Sequence, residues 1–306
     1  MSKGVDVGGK SSESYLDPRV AKTIERLDLK AQFIVKGFMH GLHASPLQGF
    51  SVEFSEHRKY ERGDDPKDID WRLYARTDKY YVRKYEAETN MTGWLVVDSS
   101  ASMGPEYPGE TTKFDYAISL AAVLCHLMIH RQDPVGLVAF DEKIVRSVPP
   151  KSKRSQFGAI LSTLVILRPS GKTDFAAALT QFASTLKRAS LVMIFSDLLG
   201  DPEGTLNAIY RLRHSGHDVI LFHILGEAEA KFALKGDLEL RDPETGESVV
   251  VDAESVGDYY REELERFRER FRREASNAKF DFVELDAGTP FDKALLEYLT
   301  ARAARR

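Results

Sequence analysis

Trp94-Leu95-Val96-Val97 runs without a break into Asp98-Ser99-Ser100-Ala101-Ser102. Four consecutive apolar residues with no polar alternation read as a strand buried on both faces. The Asp-x-Ser-x-Ser run then places one carboxylate and two hydroxyls directly at the carboxyl end of that strand. In open α/β sheets this is the end at which ligands bind.

The sequence after residue 92 alternates short apolar runs with amphipathic stretches. Helices are expected over about 113–130, 152–167, 174–188, 202–214, 255–273 and 289–302. Strands are expected over 135–140, 144–148, 191–195, 218–225 and 280–285. Buried strands separated by helices imply an α/β fold: three layers, with a mostly parallel sheet covered by helices on both faces, Rossmann-like. The run from Leu238 to Val251, centred on Asp242-Pro243-Glu244-Thr245-Gly246, interrupts the alternation and reads as a hairpin.

Upstream, the first 14 residues are polar and rich in Gly and Ser, and read as a flexible tail. Leu16, Val20, Ile24, Leu27, Ala31, Ile34 and Phe38 recur at helical spacing. Phe50-Ser51-Val52-Glu53-Phe54 alternates as a strand does, Arg62-Gly63-Asp64-Asp65-Pro66 is a turn signal, and 80–85 is a second strand-like run. The expected organisation is a tail over 1–14, a small helix and β unit over 15–90, and an α/β domain over 91–306 with a hairpin insertion near 232–252.

Composition narrows the function classes. The 306 residues carry 43 Lys and Arg against 47 Asp and Glu, a formal charge of −4. That balance argues against a strongly basic nucleic-acid binder. Cys125 is the single cysteine, which excludes a disulfide framework or a cysteine-rich metal site. The longest apolar run, 117–129, is too short to span a bilayer and is interrupted by Ser119 and His126, and no hydrophobic signal core opens the chain. A cytoplasmic protein with no membrane anchor is expected.

Two further oxygen donors stand at comparable places: Thr173, just before a helix, and Asp197, straight after Phe195. Asp98, Ser100, Ser102, Thr173 and Asp197 form a set of hard oxygens suited to Mg²⁺ or Mn²⁺. Hydroxyls would reach the ion directly while carboxylates act through bound water, leaving an open position for a partner's carboxylate. The plainer alternative is that Ser102 and Thr173 are helix caps.

These five residues resemble the complete metal-ion-dependent adhesion site of von Willebrand factor type A domains. The stretch from Glu53 to Trp71, with Ala75-Arg76-Thr77 and Tyr81-Val82-Arg83, resembles the signature of the bacterial domain-of-unknown-function 58 (DUF58) proteins. The resemblance covers about residue 42 to the C-terminus. It implies a type A-like domain that binds divalent metal and works with a MoxR-type AAA+ ATPase in chaperone-like assembly or activation of a client protein, without catalysis. Two rival functions use the same site: a Mg²⁺-dependent phosphoester hydrolase, or a purely structural metal.

Other candidates are weaker. Gly171-Lys172-Thr173 invites a phosphate-loop reading, but Ile166 stands where that loop needs glycine. Asp64, Asp65, Asp68 and Asp70 are interleaved with Arg58, Arg62, Lys67 and Arg72, as in a salt-bridged turn that docks the small unit, with Trp71 and Tyr74 as its apolar contact. His126 and His130 lie four apart in an apolar helix, where packing explains them better than metal.

Overall fold

The computed structural model describes residues 57–59, 71–83, 91–104, 111–232 and 234–289. Near its start, β1 (His57–Lys59) pairs antiparallel with β2 (Tyr81–Arg83), and α1 (Trp71–Thr77) lies between them in sequence. This helix departs from the expected turn and strands. Thr77 Oγ1 bonds back to the Leu73 carbonyl at 2.8 Å, and Asp78 ends the helix in a left-handed conformation at φ 52°. Trp71 is 58% exposed and meets Tyr74 edge-on, and Tyr74 stacks on Tyr80. The expected helix over 16–41, the strand at 50–54, the acidic turn and nearly all of the helix over 289–302 lie outside the described residues.

The centre of the molecule is a six-stranded sheet of β3 (Thr92–Asp98), β4 (Val135–Phe140), β5 (Ile144–Lys151), β6 (Ser190–Ser196), β7 (Asp218–Leu225) and β10 (Asp281–Asp286). Its order is β10-β7-β6-β3-β4-β5, parallel throughout except for the antiparallel edge strand β5. Strand β5 passes the expected end at Val148 and continues through Pro149 and Pro150 to Lys151. An edge strand tolerates prolines because one side of its backbone needs no ladder donor.

Alternation along the strands sorts side chains onto two faces. Leu95, Val97, Leu137, Ala139, Met193, Phe195, Ile220 and Phe222 point to one face, which is covered by α2 (Lys113–His130) and α3 (Ser155–Ile166). Val96, Val138, Phe140, Val192, Ile194, Val219 and Leu221 point to the other. That face packs against α4 (Phe175–Thr185), α5 (Pro202–His214) and α7 (Ala253–Ala278). The result is the expected α/β fold, a mostly parallel sheet with helices on both sides. Each of these large apolar side chains contributes about 1.5–3 kcal/mol on full burial. Gly136 is required where β4 passes the Trp94 ring, because a Cβ there would lie 2.7 Å from it.

Between β7 and α7 the chain forms the short helix α6 (Glu227–Lys231) and the hairpin of β8 (Asp237–Arg241) and β9 (Ser248–Asp252). The charged helix is longer than its periodicity predicts. It starts behind the Asp252 cap, which accepts from the Glu254 and Ser255 amides, and ends at left-handed Lys279. Cys125 is fully buried, and burial pushes its thiol pKa up. The His126 ring packs edge-on against Phe157. Among the described residues, no helix is long and apolar enough to cross a membrane.

One feature of the topology places the site. Strand β3 leads to α2 on the first face, whereas its neighbour β6 leads to α5 on the second. Adjacent strands whose connections leave to opposite faces open a crevice at their carboxyl ends. Asp98 ends β3, and Asp197 follows β6.

Candidate functional site

At the end of β3 the backbone turns sharply and its first polar groups fold back on the strand. Ser99 donates through both N and Oγ to the Phe140 carbonyl, at 2.7 and 2.9 Å, tying the turn to the end of β4. Asp98 Oδ1 accepts from the Ser100 amide at 2.9 Å. Ala101–Met103 then form one 3₁₀ turn, which brings Ser102 Oγ to 3.0 Å from Ser100 Oγ. Asp98 and Ser100 are completely buried, and Ser102 nearly so.

The loop before α4 is zipped to this turn by backbone bonds. Ser170 donates to the Ser99 carbonyl at 2.9 Å, and Ala101 donates to the Gly171 carbonyl at 3.0 Å. Gly171 supplies the left-handed residue at φ 76° that the loop needs. Thr173 is thereby held over Asp98, with Oγ1 at 3.5 Å from Asp98 Oδ1, at the outer limit of a hydrogen bond. Thr173 is not a helix cap: the α4 cap is Asp174, whose side chain accepts from Ala177.

The other wall comes from β6. Ser196 Oγ donates to Asp98 Oδ2 at 2.6 Å and accepts from the Leu198 amide at 3.0 Å. Asp197 follows, with Oδ1 accepting from the Leu199 amide at 3.2 Å. Leu198 sits between them in a left-handed conformation at φ 58°, although it is buried. Such a conformation costs a non-glycine residue about 1–3 kcal/mol. Asp197 Oδ2 lies 2.9 Å from Lys113 Nζ, and both side chains are almost wholly buried. The two atoms attract as charges, but their alignment falls short of a hydrogen bond, so Oδ2 accepts none.

Lys113 opens α2, where the helix dipole disfavours a cation. Two carboxylates offset this: Asp197, and Glu229 of α6 at 2.9 Å. Glu229 is itself fixed by the Gly226 amide at 2.9 Å. Burial, followed by the Asp197 charge, pushes the Asp98 pKa up to about 7, against the opposing bonds from Ser196 and Ser100. His223, one strand over, is held neutral: burial above all pushes its pKa down to about 4.

A fourth contributor arrives from the hairpin between β8 and β9. Glu244 Oε2 accepts from the Thr173 amide at 3.0 Å, across 71 residues of sequence. Its other oxygen, Oε1, is buried and accepts no hydrogen bond.

The structure therefore gathers Asp98, Ser100, Ser102 and Thr173 into one bonded group, with Asp197 on the adjoining strand end. Lys113, Ser196, Glu229 and Glu244 are additions that the sequence reading missed. Only Lys113 leaves a local signal, a cation at the first position of an apolar helix. The donor set fits a small hard cation, with the Ser100 and Ser102 hydroxyls converging beside the Asp98 carboxylate and one buried carboxylate oxygen, of Glu244, that accepts no hydrogen bond, while Asp197 Oδ2 already faces the Lys113 ammonium. Among the described residues, no cluster of three or more His, Cys, Asp or Glu side chains is poised for a metal. A cation here would rest as much on hydroxyls as on carboxylates.

The chain is 29% identical over 235 residues to the uncharacterized protein Rv1480 of Mycobacterium tuberculosis, covering 75% of this chain and 73% of that one. Similar folds include BatB from Bacteroides thetaiotaomicron, at TM-score 0.46 and 14% identity, covering 71% of this chain and 100% of that one. They also include a von Willebrand factor type A protein from Catenulispora acidiphila, at TM-score 0.34 and 16% identity, covering 53% and 40%. The match that decides membership spans β1 to the end of α7, and so takes in the whole crevice. Across residues 56–278 the chain fits the family model described as protein of unknown function DUF58, and it belongs to that family.

Proposed function

We propose that this chain is a non-enzymatic protein–protein interaction module whose contact point is a divalent cation, Mg²⁺ or Mn²⁺, at the crevice between β3 and β6. The observation that carries the reading is the buried convergence of Ser100 Oγ and Ser102 Oγ beside Asp98, at the switch point of the sheet. Ser100, Ser102 and Thr173 would hold the ion, with Asp98 and Asp197 in support. Bound there, the ion supplies a positive charge able to accept an acidic side chain from another protein. The chain's own residues do the rest: Ser196 and the Ser100 amide fix the Asp98 carboxylate, and Lys113 balances Asp197.

The resemblance to DUF58 proteins directs the choice of partner to a MoxR-type AAA+ ATPase and its client, met in the cytoplasm. The absence of catalysis is part of the same proposal and rests on the resemblance alone.

Asp98→Ala tests the reading. The variant is expected to keep its circular dichroism spectrum while its Mg²⁺ affinity, measured by calorimetry, falls at least about tenfold, or ~1.4 kcal/mol. In a pull-down from the native cytoplasm, wild-type protein should recover an AAA+ ATPase with Mg²⁺ and lose it with chelator. Unchanged Mg²⁺ affinity in Asp98→Ala defeats the site assignment, and recovery indifferent to chelator defeats the metal-dependent contact.

A further inference from the structure

We propose that Glu244 is the resident acidic occupant of this site, so that the tip of the β8–β9 hairpin holds in the free protein the place an acidic partner side chain takes in the complex. The proposal rests on the cation reading above. It adds that the site is guarded from within the chain.

Three observations support it. The first is the contact: Glu244 Oε2 bonds to the Thr173 amide at 3.0 Å, while Oε1 is buried with no donor. A carboxylate oxygen that gives up water without a hydrogen bond is costly unless a positive charge faces it. The second is presentation. Asp242 gathers the tip by accepting from the Glu244 amide at 2.8 Å, the Thr245 amide at 3.3 Å and Thr245 Oγ1 at 2.7 Å. Gly246, left-handed at φ 77°, closes the turn with its amide on the Asp242 carbonyl at 2.8 Å. The hairpin tip thus holds its own shape and points Glu244 at Thr173.

The third observation is that the hairpin has little apolar attachment. Val249 and Val250 are 56% and 71% exposed, and neither β8 nor β9 contains a buried residue. A segment with few buried apolar contacts releases locally at low free-energy cost. The arrangement combines a specific polar contact with a hairpin that can swing away, as a displaceable occupant requires. A partner must then compete with Glu244, and its apparent affinity is reduced by the fraction of molecules in which the hairpin is docked.

The test uses the 306-residue chain as wild type, Glu244→Ala, Glu244→Gln and Asp98→Ala, with Mn²⁺ as the probe. Water-proton relaxation reports how much water reaches the bound ion, and hydrogen exchange reports the Thr173 amide. In Glu244→Ala, relaxation per bound Mn²⁺ should rise, and Thr173 should exchange at least about tenfold faster than in wild type. Glu244→Gln retains an acceptor for the amide but lacks the charge, so its exchange should stay slow while relaxation still rises. Mn²⁺ binding that survives Asp98→Ala unchanged removes the cation reading and this proposal with it. Mn²⁺ binding that depends on Asp98, with relaxation identical in wild type and Glu244→Ala, leaves the cation reading standing and overturns Glu244 as the occupant.

Discussion

Two helices of this protein handle charge in opposite ways. Helix α2 is buried along most of its length and carries one buried charge, Lys113, which is 2% exposed and set between Asp197 and Glu229. Helix α7 is laced with Arg and Glu, yet its buried residues are Ala253, Gly257, Phe271 and Ala275. Pairs such as Arg266 with Glu262 and Arg261 with Asp258 are largely in water, and Arg268 with Glu284 is only partly so. A buried ion leaves a large deficit when its partner is removed, whereas an exposed pair is screened and costs side-chain entropy to hold. One lysine therefore bears more on this fold than the whole charged face of α7, and α7 is held by its few apolar anchors.

The largest expected effect tests the second half of that statement. The Phe271 ring is fully buried, tilted against Phe267 and stacked on Phe282. Phe271→Ala should cost about 3–5 kcal/mol in urea unfolding. A loss below about 1 kcal/mol would mean that the charged face, not the ring, holds α7. Next comes Lys113→Met, which keeps the length of the side chain and removes its charge, leaving Asp197 buried without a cation. Removing one partner of a buried pair costs about 3–5 kcal/mol. The lower end is expected here, because Asp98, whose pKa burial already pushes up to about 7, can take up a proton and relieve the charge beside Asp197. If the site binds cations, Mg²⁺ should recover more melting temperature in Lys113→Met than in wild type. A stability equal to wild type without metal would erase the contrast between the helices.

Much of this fold is legible in the sequence. The bounds of α2, β4, α5 and β7 match the apolar periodicity because strong punctuation frames them. Asp201 caps α5 and Pro202 fills its first position, while left-handed Gly216 closes it. Helix α1 is not legible, since Trp71–Thr77 is too short for its periodicity to stand out beside the turn signal before it. In the site, Asp98, Ser100 and Ser102 are readable because they are contiguous and follow a buried strand. The contacts of Lys113 with Glu229, of Ser196 with Asp98 and of Glu244 with Thr173 join residues 116, 98 and 71 apart. No local spacing encodes such meetings; they arise only once the strand order is set.

The smallest effect closes the comparison from the side of α7. Arg272 grips Glu284 with two bonds, Nε to Oε1 at 2.6 Å and Nη2 to Oε2 at 2.8 Å, and reaches Glu265 Oε1 at 2.6 Å. This bidentate surface network pushes the Arg272 pKa further up, chiefly through Glu284. That shift changes nothing at neutral pH, where a guanidinium is charged in either state. Arg272 is also 46% exposed, so water and salt weaken the attraction. Arg272→Ala should therefore cost only about 0.5–1 kcal/mol at low ionic strength, the upper range for an exposed pair with bidentate geometry. Urea unfolding of wild type and variant at low and at high salt measures it, and the difference should shrink as salt rises. A loss of several kcal/mol that salt does not touch would place Arg272 with Lys113, and the exposed charge of α7 would then be structural after all.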